Sequence, residues 1–496
     1  MDRLPADIIS EIVSYLGALK QAHYGLWKSN LSPYATINKT WQSVIEHDTF
    51  SRIKIDADTL PELIPLLSGA TGDRRIRSIR ALEFQYLIDW MPALTPTQHS
   101  ELREQERLAN ESFSGDMRAL FGLLKGWEER LGGNERVVAD RHQLRLFLIR
   151  GWDRGAPHPP HPTEENIISP RPADAPPDAP VVHHGRHFSV IPWKDFRLEV
   201  DRRFPRPYLQ YIGEEKLPEL SLVSSVIVCE GHDIHPESLI RILSRMKCLD
   251  CFIGYLFDET ENLDLTREYR KALAQCLHLL PRSLSVLSPR FLPPFLKPLT
   301  SNSVLVDPER DELCLGIRAL SCQLRKLDLS GLRISPAIFA GDGDGSYPDW
   351  SNLQEVEISY PVISSAGQWF ANRTSPEVVA YVDPDDDYGY STYYSMPDPK
   401  LLNELYAAAG KAKQHMPSLK SMHLTLNVDI GKHKFTYYFD QERKRNMIAL
   451  ESSIPFGFSE EVAEAWGFSL DEVNSFKDGN ATFNDGSVTV SEVIVT

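Results

Sequence analysis

Cysteine and histidine side chains occur in two groups whose spacing could bind a metal ion. Cys248 and Cys251 are separated by two residues, which is the spacing of zinc-binding and disulfide-exchange pairs. No second pair of such residues lies at a suitable distance, and the neighbouring side chains are apolar, so we expect two core thiols. His183, His184 and His187 lie in a proline-rich stretch, where metal binding would cost ordering entropy. We interpret these histidines as incidental and predict no metal site.

Glycine-rich and acidic patterns in the chain differ from those of established catalytic sites. The segment from Gly341 to Gly345 alternates glycine and aspartate, but it lacks the lysine of a phosphate-binding loop and the terminal glutamate of a calcium loop. The motifs Gly-x-Ser-x-Gly and His-Glu-x-x-His do not occur in the sequence. We therefore predict a protein that is not an enzyme, with no catalytic residues and no cofactor. The alternative, a hydrolase or transferase with an unfamiliar site, would require a deep polar pocket.

The overall composition is that of a globular protein with an acidic surface. Of the 496 residues, 42% are hydrophobic and 25% are charged, and the chain is too long for a single core of about 250–300 residues. Acidic residues outnumber basic ones by 69 to 53, and the resulting formal charge of -16 disfavours binding to nucleic acid or to a membrane surface. Six scattered cysteines and the lack of a signal-peptide pattern predict reduced thiols and a cytoplasmic or nuclear location.

The first 55 residues carry apolar side chains at helical spacing. Leu4 and Pro5 open a segment in which Ile8, Ile12 and Leu16 recur every four residues, and a helix ending at Gly17 is expected. Further apolar positions mark a second and a third helical face, and they are Leu31, Tyr34, Ile37, Trp41 and Ile45. Helices this short bury little surface by themselves, so a spare apolar face predicts docking to another protein.

This segment resembles the F-box, and it is especially similar to the variant found in many fungal F-box proteins. The resemblance is carried by the Leu-Pro opening, by Ile-Ile-x-x-Ile-Val-x-x-Leu and by Tyr-Ala-x-Ile-x-Lys-x-Trp-Gln. It implies a Skp-family adaptor as partner and, through that adaptor, a cullin ligase core. The residues that would supply the first-helix contacts are Leu4, Pro5, Ile8, Ile12 and Leu16. The residues that would line the rest of the docking face or the core of the module are Leu31, Tyr34, Ile37, Trp41 and Ile45.

One part of the segment departs from the usual F-box pattern. The connection at residues 17–30 is longer than in the motif and can add a turn or weaken docking. The structural alternative is an N-terminal helical cap on the larger domain, with Trp41 in ordinary core packing.

Residues 56–496 alternate strand-like and helix-like stretches. The clearest strand-like runs are 224–228, 284–287, 324–329, 353–358 and 419–426, and helical spacing occurs at 236–246, 267–280 and 400–416. Several runs approach the form Leu-x-x-Leu-x-Leu, the strand signature of leucine-rich repeats, with irregular spacing. We predict an α/β fold in which the short N-terminal helical F-box, residues 1–55, is followed by an irregular leucine-rich-repeat-like α/β solenoid with a largely parallel sheet.

Two stretches interrupt this pattern. Residues 155–187 are rich in proline and histidine and contain few apolar anchors, which predicts a disordered insertion. Residues 383–394 are acidic and aromatic, and they are interpreted as a solvated insertion or a contact loop.

These features favour a substrate-recognition adaptor of a Skp-cullin-F-box ubiquitin ligase that binds a target protein through the solenoid. The alternative is a solenoid interaction scaffold that is not linked to ubiquitin ligation. The sequence does not identify the target or the residues that bind it.

Overall fold

The computed structural model describes residues 4–24, 31–86, 99–132, 143–150, 208–213, 215–229, 234–257, 263–292, 304–306, 311–341, 345–373, 394–428, 432–442, 444–452, 456–470 and 489–495. The α-helices within these ranges are α1 (Ala6–Tyr24), α2 (Lys39–Ser51), α3 (Leu60–Leu66), α4 (Gly69–Ser78), α5 (His99–Arg130), α6 (Pro236–Ser244), α7 (Leu263–Cys276), α8 (Glu312–Ser321), α9 (Pro399–Lys413) and α10 (Glu460–Trp466). Short 3₁₀-helices occur at Ser32–Thr36, Leu277–Leu279 and Pro336–Ile338.

The strands of the main sheet are β1 (Arg52–Asp56), β2 (Ala81–Tyr86), β3 (Leu144–Arg150), β4 (Val223–Val228), β5 (Cys251–Phe257), β6 (Val286–Leu292), β7 (Lys326–Ser330), β8 (Glu355–Pro361), β11 (Ser421–Asn427), β12 (His433–Asp440), β13 (Arg445–Ser452) and β14 (Thr489–Val495). A separate antiparallel pair is formed by β9 (Ala371–Arg373) and β10 (Tyr394–Pro397).

Strands that follow one another along the chain are neighbours in the twelve-stranded sheet. The strands from β1 to β8, and then β11, are all parallel, and β12, β13 and β14 add an antiparallel meander at one edge. A parallel connection between adjacent strands needs a crossover, and helices occupy many of these crossovers. The expected mixed α/β fold with a largely parallel sheet is confirmed.

The two faces of the parallel strands differ in burial because successive side chains point to opposite sides. In β7, Leu327 and Leu329 are buried while the residues between them are partly exposed, and β2, β8 and β11 alternate in the same way. The buried set forms one continuous core with helix residues such as Leu239, Ile317 and Leu405. The helices therefore cover one face of the sheet, and the other is called here the open face.

Helix α5, which has 32 residues, packs its apolar stripe into this core and also fixes loops through polar side chains. Asn110 Oδ1 accepts a hydrogen bond of 2.7 Å from the backbone of Gln210, and Ser114 Oγ accepts one of 2.7 Å from Ile212. Buried Glu128 accepts hydrogen bonds from the backbone amides just before β4, including that of Leu222 at 2.6 Å. The bonds to Glu128 satisfy the backbone donors of Ser221 and Leu222, which would otherwise be buried without partners.

A buried ion pair joins segments from successive crossovers. Arg270 of α7 and Asp311 lie 3.4 Å apart and are almost inaccessible to solvent. Asp311 also accepts hydrogen bonds from Ser335 and Ser365, at 3.1 and 2.6 Å. Burial opposes ionisation of Asp311, but the charge of Arg270 and the hydrogen bonds from Ser365 and Cys314 outweigh it and lower its pKa. A charge buried in this way requires both its partner and its hydrogen bonds.

The predicted positions of several strands and helices agree with the observed elements, and one predicted helix end is wrong. The strand-like runs at 324–329, 353–358 and 419–426 overlap β7, β8 and β11, and the helical stretches correspond to α6, α7 and α9. The expectation that the first helix ends at Gly17 is wrong, because α1 continues to Tyr24. An interior glycine costs only about 1 kcal/mol, and the residues that follow it are good helix formers. The insertions at 155–187 and 383–393 lie outside the described residues.

Candidate functional site

The N-terminal helices have a small hydrophobic core of their own. It consists of Ile9, Val13, Leu31, Trp41 and Ile45, all of which are buried. The partly buried Ile12, Ala35 and Val44 pack against it. This cluster is distinct from the main core under the sheet. The helices α1 and α2 and the 3₁₀-helix between them, called here the N-terminal module, therefore form a separate packing unit.

The same module exposes large apolar side chains. Leu4 is 37% exposed and Ile8 is 40% exposed, beside Pro5, which is also exposed. Tyr34 and Ile37, near the start of α2, are 39% and 36% exposed. Exposed apolar groups concentrated on a small module are characteristic of interaction surfaces.

The ten residues suggested by the resemblance differ in burial. Leu4, Pro5, Ile8, Tyr34 and Ile37 are exposed, and Ile12 is partly buried. Leu31, Trp41 and Ile45 belong to the core of the module, which is the second role that the sequence allowed for them. Leu16 lies in α1, and its side chain is outside the described part of the chain.

Tyr15 is a surface residue that the sequence analysis missed. It lies on α1 three residues after Ile12, and 64% of its surface is exposed. Residues three apart are neighbours on a helix surface, so Tyr15 extends the line from Ile8 through Ile12. The spacing of three residues between Ile12 and Tyr15 could have revealed it, but the sequence analysis followed only the spacing of four residues that links Ile8, Ile12 and Leu16.

The start of α2 is fixed by a cap and an aromatic contact. Asn38 Oδ1 accepts hydrogen bonds from the backbone amides of Thr40 and Trp41, at 2.9 and 3.0 Å. The rings of Tyr34 and Trp41 stack with their centres 6.4 Å apart. The exposed Tyr34 is thereby positioned by a buried residue of the core.

Polar contacts attach the module to the sheet-bearing part of the protein. Glu46 of α2 forms ion pairs with Arg74 and Arg75 of α4, and the Arg75 guanidinium lies 4.9 Å from the ring centre of Phe50. Burial opposes ionisation of Glu46, but hydrogen bonds from both arginines outweigh it and lower its pKa. The backbone continues from Ser51, the last residue of α2, directly into Arg52, the first residue of β1. Both covalent and non-covalent contacts therefore join the module to the edge of the sheet.

A cleft of about 250 Å³ lies at this junction, between α1, α2 and α4. Its lining includes Ser10, His47 and the ion-paired Arg74 and Arg75. Typical ligand pockets measure about 300–1,000 Å³ and are largely apolar. This cleft gives no support to the enzyme alternative.

A buried chain of hydrogen-bonding side chains lies beneath the antiparallel meander. His433 Nδ1 is 3.0 Å from Ser452 Oγ, and His433 Nε2 is 3.0 Å from the Tyr406 hydroxyl. Burial lowers the pKa of His433 to about 4. A serine beside a histidine resembles a nucleophile and its base, but both residues are buried, and the site offers a substrate no access. We interpret this chain as structural.

The six cysteines are buried or partly buried. No disulfide joins the six cysteines, all of which lie in the described ranges. Burial raises the pKa of the Cys251 and Cys314 thiols, which opposes formation of a reactive thiolate. Among the described residues, no group of three histidine, cysteine or acidic side chains is arranged to hold a metal ion. The cluster of His183, His184 and His187 lies outside those residues.

Comparison with known proteins gives one partial match. Residues 391–488 match a family of unknown function, DUF6546. That range contains α9, the meander strands β12 and β13, and α10. No curated protein and no solved structure matches the chain. Within the described ranges, every helix is too short or too polar to cross a lipid bilayer.

Proposed function

We propose that this protein is a substrate-recognition adaptor of a Skp-cullin-F-box ubiquitin ligase. In this proposal the N-terminal module is an F-box that docks on a Skp-family adaptor, and the sheet-bearing domain is an irregular leucine-rich-repeat-like solenoid that binds the target. The observation that carries the proposal is the exposure of Leu4, Ile8, Tyr34 and Ile37 on a module that has a separate buried core of its own.

The order of the sheet supports the solenoid part of the proposal. Each parallel strand lies beside the strands that precede and follow it along the chain. Stacking of successive strand-and-crossover units in chain order is the arrangement of repeat proteins, in which each unit buries its apolar face against its neighbours. The buried leucines at alternate positions of β7 fit the same scheme.

Binding to a Skp-family adaptor tests the F-box part directly. Ile8→Asp combined with Ile37→Asp places charges at exposed positions, so we expect the fold to persist and adaptor binding to fall by about a hundredfold or more. Ile64→Asp is the matched control, because Ile64 is 56% exposed on α3 outside the module. The measurement is co-purification and calorimetry of the full chain with a Skp-family protein.

Equal binding by the wild type and the Ile8/Ile37 variant, or no binding by a folded wild type, would show that the module is not an F-box. Circular dichroism of each variant separates loss of binding from loss of structure.

A scaffold unconnected with ubiquitin is the second candidate, and one observation favours it. The module lies at the edge of the sheet, where α2 continues into β1, as a terminal cap of a repeat stack would. Under that alternative the Ile8/Ile37 variant retains all partner interactions, because the cap acts through its buried residues.

A further inference from the structure

The open face of the sheet changes in chemical character from one strand to the next. Register pairs place Phe147, Ile227 and Ile253 side by side on β3, β4 and β5. The same row continues through Ser288 on β6, which is paired with Ile253 and is buried between its neighbours. Asp328 on β7 accepts a hydrogen bond of 2.8 Å from Ser288, and Glu357 on β8 is paired with Asp328. A single row thus passes from apolar to acidic across six strands.

The apolar half of this row belongs to a larger patch. The apolar patch consists of Phe147, Ile149, Ile227, Ile253, Tyr255 and Val286, all of them partly exposed. They lie on four adjacent strands, and they alternate with buried residues that face the helices. Contiguous apolar groups on an accessible face mark a binding surface more often than scattered ones do.

The acidic half has more negative than positive charge. Lys326 lies 3.1 Å from Glu355 and 4.0 Å from Glu357, and Asp328 lies on the same strand as Lys326. One ammonium group therefore faces three carboxylates. The side chains of Glu355 and Glu357 are about half exposed, at 50% and 55%, and remain accessible to a second cation.

We propose that this row of the open face is the target-binding surface, and that its ligand is a protein segment with apolar side chains followed by lysine or arginine. The inference rests on the proposed adaptor function, for which it supplies the class of target. The apolar side chains of the segment pack on the apolar patch, and its cations pair with Glu355 and Glu357. The acidic charge of the whole chain adds long-range attraction for such a segment.

Strand spacing sets the separation between the two parts of the ligand. Ile253 and Glu357 are three strands apart, which is about 14 Å at about 4.8 Å per strand. An extended peptide covers that distance in about four residues and a helix in about ten. The ligand therefore carries its basic residues at one of these two offsets from its apolar residues.

Selection from a display library of random twelve-residue peptides on the immobilised full chain tests this inference. We expect the enriched peptides to combine aliphatic or aromatic residues with lysine or arginine at those offsets. Fluorescence polarisation of the most enriched peptide then measures its affinity for the wild type and two variants. Ile227→Thr combined with Ile253→Thr should weaken binding by about tenfold or more, while Ile64→Thr, the matched control at an exposed position, should not.

Charge reversal gives a second arm that does not disturb the apolar patch. With Glu355→Lys and Glu357→Lys, selection should shift toward peptides rich in aspartate and glutamate. Enrichment of peptides without basic residues, or an affinity that none of these substitutions changes, would overturn the inference. Skp binding measured on the same variants should be unaffected. A wild type that selects basic-apolar peptides but binds no Skp-family protein would overturn only the adaptor function.

Discussion

His433 is the buried side chain with the clearest consequence for stability. It is inaccessible to solvent and hydrogen-bonded at both ring nitrogens, and its pKa in the folded protein is about 4. In the unfolded chain a histidine has its ordinary pKa near 6.5. The unfolded state therefore binds a proton below pH 6.5 that the folded state does not bind until about pH 4.

We predict that the free energy of unfolding falls as the pH decreases from 6.5 to 4. At 1.36 kcal/mol per pH unit, His433 contributes about 3 kcal/mol to that fall. His433→Gln should lower stability at neutral pH and flatten this part of the pH dependence, whereas His278→Gln, at an exposed position, should not. Urea unfolding monitored by tryptophan fluorescence at pH 7.5, 5.5 and 4.5 measures the difference. Parallel pH profiles for the wild type and His433→Gln would contradict the assignment.

Helix α2 is the element on which the proposed docking surface most depends. Its first turn is closed by Asn38, and its buried face supplies Trp41 and Ile45 to the core of the module. An amide or carboxylate oxygen at an N-cap satisfies backbone donors that the helix leaves unpaired.

We expect Asn38→Ala to destabilise α2 by about 1 kcal/mol, since the cap to Thr40 and Trp41 is lost. Asn38→Asp keeps an acceptor at this position and should behave like the wild type. Hydrogen exchange at the amides of Thr40 and Trp41 reports the change. Unaltered exchange in Asn38→Ala would show that the cap does not limit opening of this helix.

At the scale of the molecule, the described residues form two hydrophobic cores of unequal size. The core of the N-terminal module has five buried residues, and the main core extends under the sheet from Ile55 to Phe468. A core as small as the first is of marginal stability by itself. Regions of this kind open at a lower free-energy cost than the rest of the structure.

We predict that Ile45→Ala unfolds the module while the sheet remains folded. Loss of three buried carbon atoms and the resulting cavity costs about 2–4 kcal/mol, which is large compared with the stability of so small a core. Leu327→Ala, in the main core, should instead lower the main thermal transition. Hydrogen exchange measured by mass spectrometry separates the two responses. Equal loss of protection in the module and the sheet of Ile45→Ala would indicate a single cooperative unit.

The sequence predicted the parts of this molecule that have a regular local pattern. Alternating leucines revealed β7 because one face of that strand is buried and the other is not. The meander was missed because β12 is buried at consecutive positions, Phe435 to Tyr437, so no alternation is visible. The partner of His433 lies 27 positions away at Tyr406, and the row from Phe147 to Glu357 depends on register between strands distant in sequence. Such features arise from contacts between elements that are distant in sequence, and the local hydrophobic pattern does not predict them.

Helix α2 ends at Ser51 and strand β1 begins at Arg52, so no flexible linker lies between them that could act as a hinge. The ion pairs of Glu46 with Arg74 and Arg75 also connect α2 to α4 next to this junction. In the proposed adaptor, a target protein bound to the sheet would therefore keep a fixed orientation relative to the ligase. The position of a lysine on the target would then decide whether it is ubiquitinated.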